Sequence, residues 1–138
     1  MNRYATAIWN GTGKEGSGKL STQSTVLSEA QYGFKSRFEN GAGTNPEELI
    51  AAAHAGCFSM KLSFNISEAN VTPDSIRTKS SVNFNTEKGE IDKIHLEVSV
   101  KAPGLDKEKF EELANDAKNN CPISKLLNAE ITMSAELV

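Results

Sequence analysis

The sequence predicts an α+β fold. Segments with strand alternation occur early, in the middle and late in the chain, and helical segments lie between them. The length of 138 residues is enough for one domain with a hydrophobic core. An apolar content of 38% and a charged content of 24% are ordinary for a globular protein. We therefore expect a single domain over residues 1–138.

Charge and hydropathy argue against several classes of function. The net charge is −3 and no basic cluster stands out, so nucleic-acid binding is not expected. No apolar run reaches the length of a membrane span, and the N-terminus has no apolar signal core, so we expect a cytosolic protein without a membrane partner. Two cysteines are too few for a disulfide scaffold. In a reducing compartment they are either buried structural thiols or reactive ones.

The N-terminal part of the chain predicts three strands. Two strands, at 4–9 and 19–26, are joined by a glycine-rich loop. A third is predicted at 31–39, where aromatic residues alternate with glycine or charged residues. The aromatic residues of this strand are expected to face the core. Arg37 and Lys35 are then expected on the opposite face.

A long helix is predicted after these strands. Thr44 or Asn45 can cap it, Pro46 fits its first position, and two acidic residues favour the first turn. Apolar residues recur at helical spacing up to about residue 69: Ile50, Ala53, Cys57, Met60 and Phe64. Small residues crowd its middle, so we expect a central and largely buried helix.

The second half of the chain predicts three more strands and two more helices. In order these are strands at 75–84 and 94–100, a helix capped by Asp106, a short helix from Cys121–Pro122 to about 128, and a strand at 129–138.

Both cysteines have two interpretations from the residues alone. Cys57 lies on the predicted apolar stripe, where a buried and inert thiol is the common state. Cys121 lies at a predicted helix start, where the helix dipole favours a thiolate, although a simple capping role is equally compatible. A reactive thiol needs a positive neighbour, for which Arg37 and Lys35 are candidates, and Glu47 can orient an arginine. Their alternatives are a solvated strand surface and an ordinary first-turn acid.

Several segments resemble the osmotically inducible protein C family (OsmC/Ohr). They are YGFKSRFE at 32–39, GTNPEELIAAAHAGCFSM at 43–60, and CPISKLL at 121–127 followed by AEIT at 129–132. The resemblance covers nearly the whole chain in the family's order. The first segment and the two cysteines are similar to the OsmC branch. In the organic hydroperoxide resistance branch the arginine lies in the first β-hairpin, whereas Arg37 matches the OsmC arginine.

The resemblance implies a fold and an activity. The fold is OsmC-like, with antiparallel strands around a long buried central helix, in an intertwined homodimer with sites at the interface. The activity is a thiol-dependent peroxidase that reduces organic hydroperoxides without a metal or organic cofactor. Cys57 attacks the peroxide and becomes a sulfenic acid, Cys121 condenses with it to a disulfide, and an external thiol or dithiol reduces that disulfide.

The resemblance also assigns supporting residues. Arg37 lowers the pKa of Cys57 and polarises the peroxide, and Glu47 holds Arg37. Apolar residues around Cys57 favour organic peroxides over hydrogen peroxide: Phe58, Met60 and Phe64. Glu47 and Cys57 are ten residues apart, about 15 Å along a straight helix. One site that uses both therefore needs a bent helix or two subunits.

Two alternatives belong to other classes of protein. One is a non-enzymatic stress protein that binds a small hydrophobic ligand at the dimer interface through a cavity with inert thiols. The other is a zinc-binding module that uses His54, Cys57 and Cys121, although their spacing matches no compact zinc signature.

Overall fold

The computed structural model describes residues Met1–Val138 and confirms the α+β class. Its elements are β1 (Ala5–Asn10), β2 (Ser17–Thr22), β3 (Ala30–Tyr32), α1 (Phe34–Phe38), α2 (Pro46–Glu68), β4 (Ser75–Asn85), β5 (Glu90–Lys101), α3 (Lys107–Asn120), α4 (Pro122–Leu126) and β6 (Glu130–Leu137). The contacts divide the chain into two compact units, Met1–Leu49 and Ile50–Val138. The single domain over 1–138 stays a prediction. None of the helices is long and apolar enough to cross a membrane.

The unit Met1–Leu49 contains an antiparallel sheet in the order β1-β2-β3, followed by α1. The strand predicted at 31–39 is wrong beyond Tyr32, because residues from Phe34 onward form helix α1. The hydroxyl of Ser36 accepts a hydrogen bond from the Gly33 N–H at 2.9 Å, so a side chain takes a backbone donor that a strand would pair across the sheet. Phe38 is exposed rather than directed into a core.

The unit Ile50–Val138 contains a second sheet in the order β4-β5-β6. β4 and β5 form an antiparallel hairpin whose turn requires positive φ at Gly89 (67°). β5 and β6 pair in parallel, from Lys93↔Glu130 to Val100↔Leu137, whereas antiparallel strands were expected. The reason is that α3 and α4 connect β5 to β6 and return the chain to the end of the sheet where β5 began. β6 therefore runs in the same direction as β5.

The core of this second unit lies between the sheet and the helices. Its buried apolar side chains come from α2, β5 and α3: Phe58, Leu62, Ile66, Leu96, Val98, Val100, Phe110, Ala114 and Ala117. The capping predicted for α3 is confirmed, because the Asp106 carboxylate accepts a hydrogen bond from the Lys109 N–H at 2.9 Å.

Helix α2 has the predicted start, but a different face is buried. Its buried residues include His54, Phe58, Leu62 and Ile66, which are spaced four apart. Met60 and Phe64, which were predicted on the buried stripe, are 65% and 61% exposed. The helix carries two apolar rows, and their spacing alone does not show which row is buried. In the single chain the helix is therefore buried along one row and exposed along the other.

Candidate active site

Helix α1 and the first turn of α2 bring Arg37 and Glu47 together. Arg37 Nη2 donates to Glu47 Oε1 at 2.8 Å, and Arg37 Nε lies 3.1 and 3.2 Å from the two carboxylate oxygens. Such a two-pronged, charge-assisted contact fixes the guanidinium plane. The Glu47 side chain is 13% exposed and that of Arg37 is 37% exposed. Arg37 is thus an oriented helix residue and not part of a strand surface.

Hydrogen bonds between α1 and the start of α2 make this ion pair possible. Asn45 Oδ1 accepts from the Glu48 N–H at 2.8 Å, as a helix cap does, and Asn45 Nδ2 donates to the Ser36 carbonyl at 3.1 Å. The Ser36 hydroxyl donates to the Thr44 carbonyl at 2.8 Å. Asn45, which caps α2, therefore also holds α1. This places Arg37 of α1 beside Glu47 of α2.

An aromatic cavity of about 240 Å³ lies beside the guanidinium of Arg37. Its walls include Trp9 and Tyr32, whose ring centroids are 5.4 Å apart, and Phe34 and Phe38, whose centroids are 5.0 Å apart. Arg37 Cζ lies 5.2 Å from the centre of the Phe38 ring. A cation at the edge of an apolar pocket suits a small ligand with one polar end and an apolar body.

The unit Ile50–Val138 brings the two cysteines together. Cys57 is half-buried on α2, Cys121 is fully buried between α3 and α4, and both are free thiols. Burial raises the pKa of Cys57, a hydrogen bond from the Ile123 N–H lowers it, and the neighbouring Cys121 side chain raises it again. No cation of this unit acts on the Cys57 pKa. The two thiols are therefore neighbours in this unit, and their roles stay a proposal.

Cys121 is held by the ends of two helices. Its N–H donates to the Ala117 carbonyl at 3.0 Å and closes α3, while its Sγ accepts from the Ser124 N–H at 3.3 Å and begins α4. The Ser124 hydroxyl lies 3.1 Å from the same sulfur, and His54 Nε2 lies 2.7 Å from that hydroxyl.

Sequence reasoning missed Ser124 and considered His54 only as a zinc ligand. The available signal was spacing, because Ser124 follows Cys121 by three residues and His54 precedes Cys57 by three. The zinc alternative finds no ligand set, because no group of three His, Cys, Asp or Glu side chains lies close enough together to hold a metal ion.

The three apolar residues assigned to peroxide selectivity have different positions. Phe58 is fully buried in the core against which Cys57 packs, and its role in peroxide selectivity stays a prediction. Met60 and Phe64 are exposed on α2. The aromatic cavity beside Arg37 is the apolar feature that sequence reasoning did not foresee.

The comparison with known proteins places the chain in a family. A family model described as OsmC-like protein matches residues 39–136, which include Glu47, Cys57 and Cys121. The chain belongs to the OsmC-like protein family. The match begins two residues after Arg37, so the evidence for a role of this arginine is its contact with Glu47.

OsmC-like relatives cover the chain with different degrees of similarity. Peroxiredoxin OsmC of Escherichia coli (strain K12) is 46% identical over 139 residues, covering 99% of this chain and 97% of its own length. Organic hydroperoxide resistance protein OhrB of Bacillus subtilis (strain 168) is 37% identical over 100 residues, 72% of this chain and 73% of its own. The crystal structure of an OsmC like protein from Mycoplasma pneumoniae has a TM-score of 0.78 over 100% of this chain and 98% of its own, and at 14% identity it shows the fold. The predicted resemblance is confirmed.

Proposed function

We propose that this chain is a thiol-dependent peroxidase that reduces organic hydroperoxides to alcohols in the cell's defence against oxidative stress. The observation that carries the proposal is the juxtaposition of the Cys57 and Cys121 thiols in the unit Ile50–Val138. The names of the relatives, peroxiredoxin and organic hydroperoxide resistance protein, support the same reaction class. A cytosolic location stays a prediction.

The reaction uses the two sulfurs in sequence. The Cys57 thiolate attacks one peroxide oxygen, the O–O bond breaks, and the alkoxide takes a proton and leaves as the alcohol. Cys57 is then a sulfenic acid. The Cys121 sulfur attacks the Cys57 sulfur, an S–S bond forms, the S–O bond breaks, and water leaves. An external thiol or dithiol donates two electrons and two protons to restore both thiols.

The thiolate of Cys57 needs a positive charge, because burial and Cys121 raise its pKa. Arg37, oriented by Glu47, is the proposed source, and a second copy of the chain is proposed to supply it. The ten-residue spacing of Glu47 and Cys57 in the sequence supports that assignment. Exposed apolar side chains on α2, Met60 and Phe64, support a partner that covers this helix in a homodimer.

The aromatic cavity gives a physical reason for organic substrates. Aromatic walls beside a guanidinium favour a peroxide whose polar O–O end meets the cation and whose carbon body removes apolar surface from water. Hydrogen peroxide has an O–O group for the cation but no apolar body to bury, so the aromatic walls of the cavity contribute nothing to its binding. We expect kcat/KM for cumene or tert-butyl hydroperoxide to exceed that for hydrogen peroxide.

Peroxidase turnover with a dithiol reductant tests the proposal. Cys57→Ser should abolish peroxide consumption, whereas Cys121→Ser should allow one oxidation per chain and leave a trapped sulfenic acid at Cys57 in the mass spectrum. Oxidation that appears first at Cys121 in the wild type would reverse the two roles. Binding of the hydroperoxide without any loss of thiols would instead favour the non-enzymatic ligand-binding alternative, to which the aromatic cavity also lends support.

A further inference from the structure

Three buried polar side chains form a hydrogen-bonded network that ends at the sulfur of Cys121, one of the two reacting thiols. His54 and Cys121 are 0% exposed and Ser124 is 8% exposed. His54 Nε2 lies 2.7 Å from Ser124 Oγ, and Ser124 Oγ lies 3.1 Å from Cys121 Sγ. Buried polar groups are costly unless they are paired, and His54 Nδ1 has no hydrogen-bond partner. The reaction steps above use only Cys121 of the three.

At the far end of this hydrogen-bonded network, burial favours the neutral form of His54. Burial lowers the pKa of His54, and no charged side chain offsets this effect. A neutral imidazole has one N–H, and its Nδ1 has no hydrogen-bond partner. With the proton on Nε2, His54 donates to Ser124, and the serine hydroxyl is then directed to donate to Cys121 Sγ.

The sulfur already accepts one hydrogen bond, from the Ser124 N–H at 3.3 Å. With His54 protonated on Nε2, two groups of Ser124 can donate to Cys121 Sγ: the backbone N–H and the hydroxyl, which lies 3.1 Å from the sulfur. A thiol needs no such pair, whereas a thiolate is stabilised by every donor that points at it.

We propose that Ser124 is a catalytic residue of the resolving step, which stabilises the Cys121 thiolate through its hydroxyl, and that His54 is the positioning residue that directs this hydroxyl. The proposal rests on the peroxidase function above. The Cys121 thiolate attacks the sulfur of the Cys57 sulfenic acid, the S–S bond forms and the S–O bond breaks. The leaving hydroxide takes up a proton equivalent to the one that Cys121 released, and water results.

The elements that adjoin Cys121 carry other titratable groups. On α2, Cys57 is its neighbour. On α3, the Asp116 carboxylate is hydrogen-bonded to Asn65 and Asn120, and Lys118 is half-buried. On α4, Lys125 is exposed. The hydrogen-bond partners of the Cys121 sulfur are the N–H and hydroxyl of Ser124 and the side chain of Cys57.

The resolving step can be followed by itself from the sulfenic acid already formed. Reduced full-length protein receives one equivalent of cumene hydroperoxide, dimedone traps the remaining Cys57 sulfenic acid at timed intervals, and mass spectrometry counts trapped and disulfide forms across a range of pH. The variants are Ser124→Ala, Ser124→Thr and His54→Phe. Ser59→Ala is the matched control, because the Ser59 hydroxyl donates to Thr78 Oγ1 at 2.8 Å.

Ser124→Ala should slow disulfide formation by about tenfold or more at neutral pH, with a loss that shrinks as the pH rises and forms the thiolate without help. His54→Phe should change the rate in the same direction by less, and Ser124→Thr, which keeps the hydroxyl, should restore much of it. Ser59→Ala should match the wild type. If His54→Phe does not fold, the two Ser124 variants decide.

Three results would overturn the inference. Wild-type protein that consumes no peroxide or forms no disulfide would remove the proposed function and this inference with it. Normal resolution in Ser124→Ala, with the wild type forming its disulfide, would remove the inference alone. A loss in Ser124→Ala that is equal at every pH would mean that the serine only packs against Cys121.

Discussion

Replacing Arg37 with alanine removes the proposed cation together with its contact to Glu47. The guanidinium makes nitrogen–oxygen contacts of 2.8, 3.1 and 3.2 Å with a carboxylate that is 13% exposed. Two distinct effects follow in the proposed site. The Cys57 thiolate loses a positive neighbour, and the Glu47 carboxylate is left without its ion-pair partner.

The structure sets the relative size of these effects. Burial already raises the pKa of Cys57. Each further unit of increase in this pKa lowers the fraction of thiolate at neutral pH about tenfold, which corresponds to about 1.4 kcal/mol. Arg37→Ala should therefore lower kcat/KM at neutral pH by about tenfold or more. Glu47 acts only through the arginine. Because the Arg37 side chain is 37% exposed, solvent screens its ion pair with Glu47. We therefore expect Glu47→Ala to lose about 1 kcal/mol of positioning energy, which corresponds to roughly a fivefold lower rate.

Two further variants separate charge from geometry. Arg37→Lys keeps the charge but cannot form the two-pronged contact with a carboxylate, so it should rescue activity poorly. The double variant Arg37→Ala, Glu47→Ala should lose little more than Arg37→Ala, because the carboxylate has nothing left to orient. Lys35→Ala is the matched control, since it removes an exposed positive charge from the same helix.

The assay reads the pKa of Cys57 and the rate separately. Ultraviolet thiolate absorbance is followed against pH in each variant on a Cys121→Ser background, and kcat/KM for cumene hydroperoxide is measured with both cysteines present. An unchanged titration curve together with wild-type rates in Arg37→Ala would refute the reasoning and leave Arg37 as a surface residue. An equal loss in Lys35→Ala would attribute the effect to net charge.

Three further predictions concern stability and assembly. Leu62→Ala removes a fully buried side chain from the core and should lower the free energy of unfolding, measured by urea denaturation, by about 2–5 kcal/mol. A smaller loss would mean that the core collapses into the cavity left by the leucine side chain. Because burial lowers the pKa of His54, the unfolded chain binds a proton that the folded chain does not, so stability should fall as pH drops below 6.5. The slope is at most about 1.4 kcal/mol per pH unit, and urea denaturation of His54→Phe should lack this component if the reasoning is correct. The double variant Met60→Glu, Phe64→Glu should shift sedimentation from dimer toward monomer, and a wild-type chain that sediments as a fully active monomer would contradict the homodimer.

Local interactions explain which elements the sequence by itself determined. The start of α2 was predicted because Asn45 and Pro46 act within one turn of the chain, and the α3 cap at Asp106 is local in the same way. The hairpin of β4 and β5 follows from alternation and a glycine turn. The family resemblance likewise rests on short contiguous segments.

Tertiary structure alone decided how distant segments meet. Alternation predicts a strand at β6, but its parallel pairing with β5 depends on the path through α3 and α4. Two apolar rows on α2 have equal helical spacing, and only packing against the sheet selects the row of Phe58 and Leu62 over the row of Met60.

The candidate site shows the same division between local and distant effects. The residue types of Arg37, Glu47, Cys57 and Cys121 were readable from the chain, and so was their possible chemistry. The fork between Arg37 and Glu47 needed the turn of α1 that replaced the predicted strand, because side-chain hydrogen bonds outcompeted strand pairing there. The neighbouring thiols, and the buried path from His54 to Cys121, join residues more than 60 positions apart. Such contacts are set by the packing of helices against a sheet, which no local pattern in a single sequence encodes.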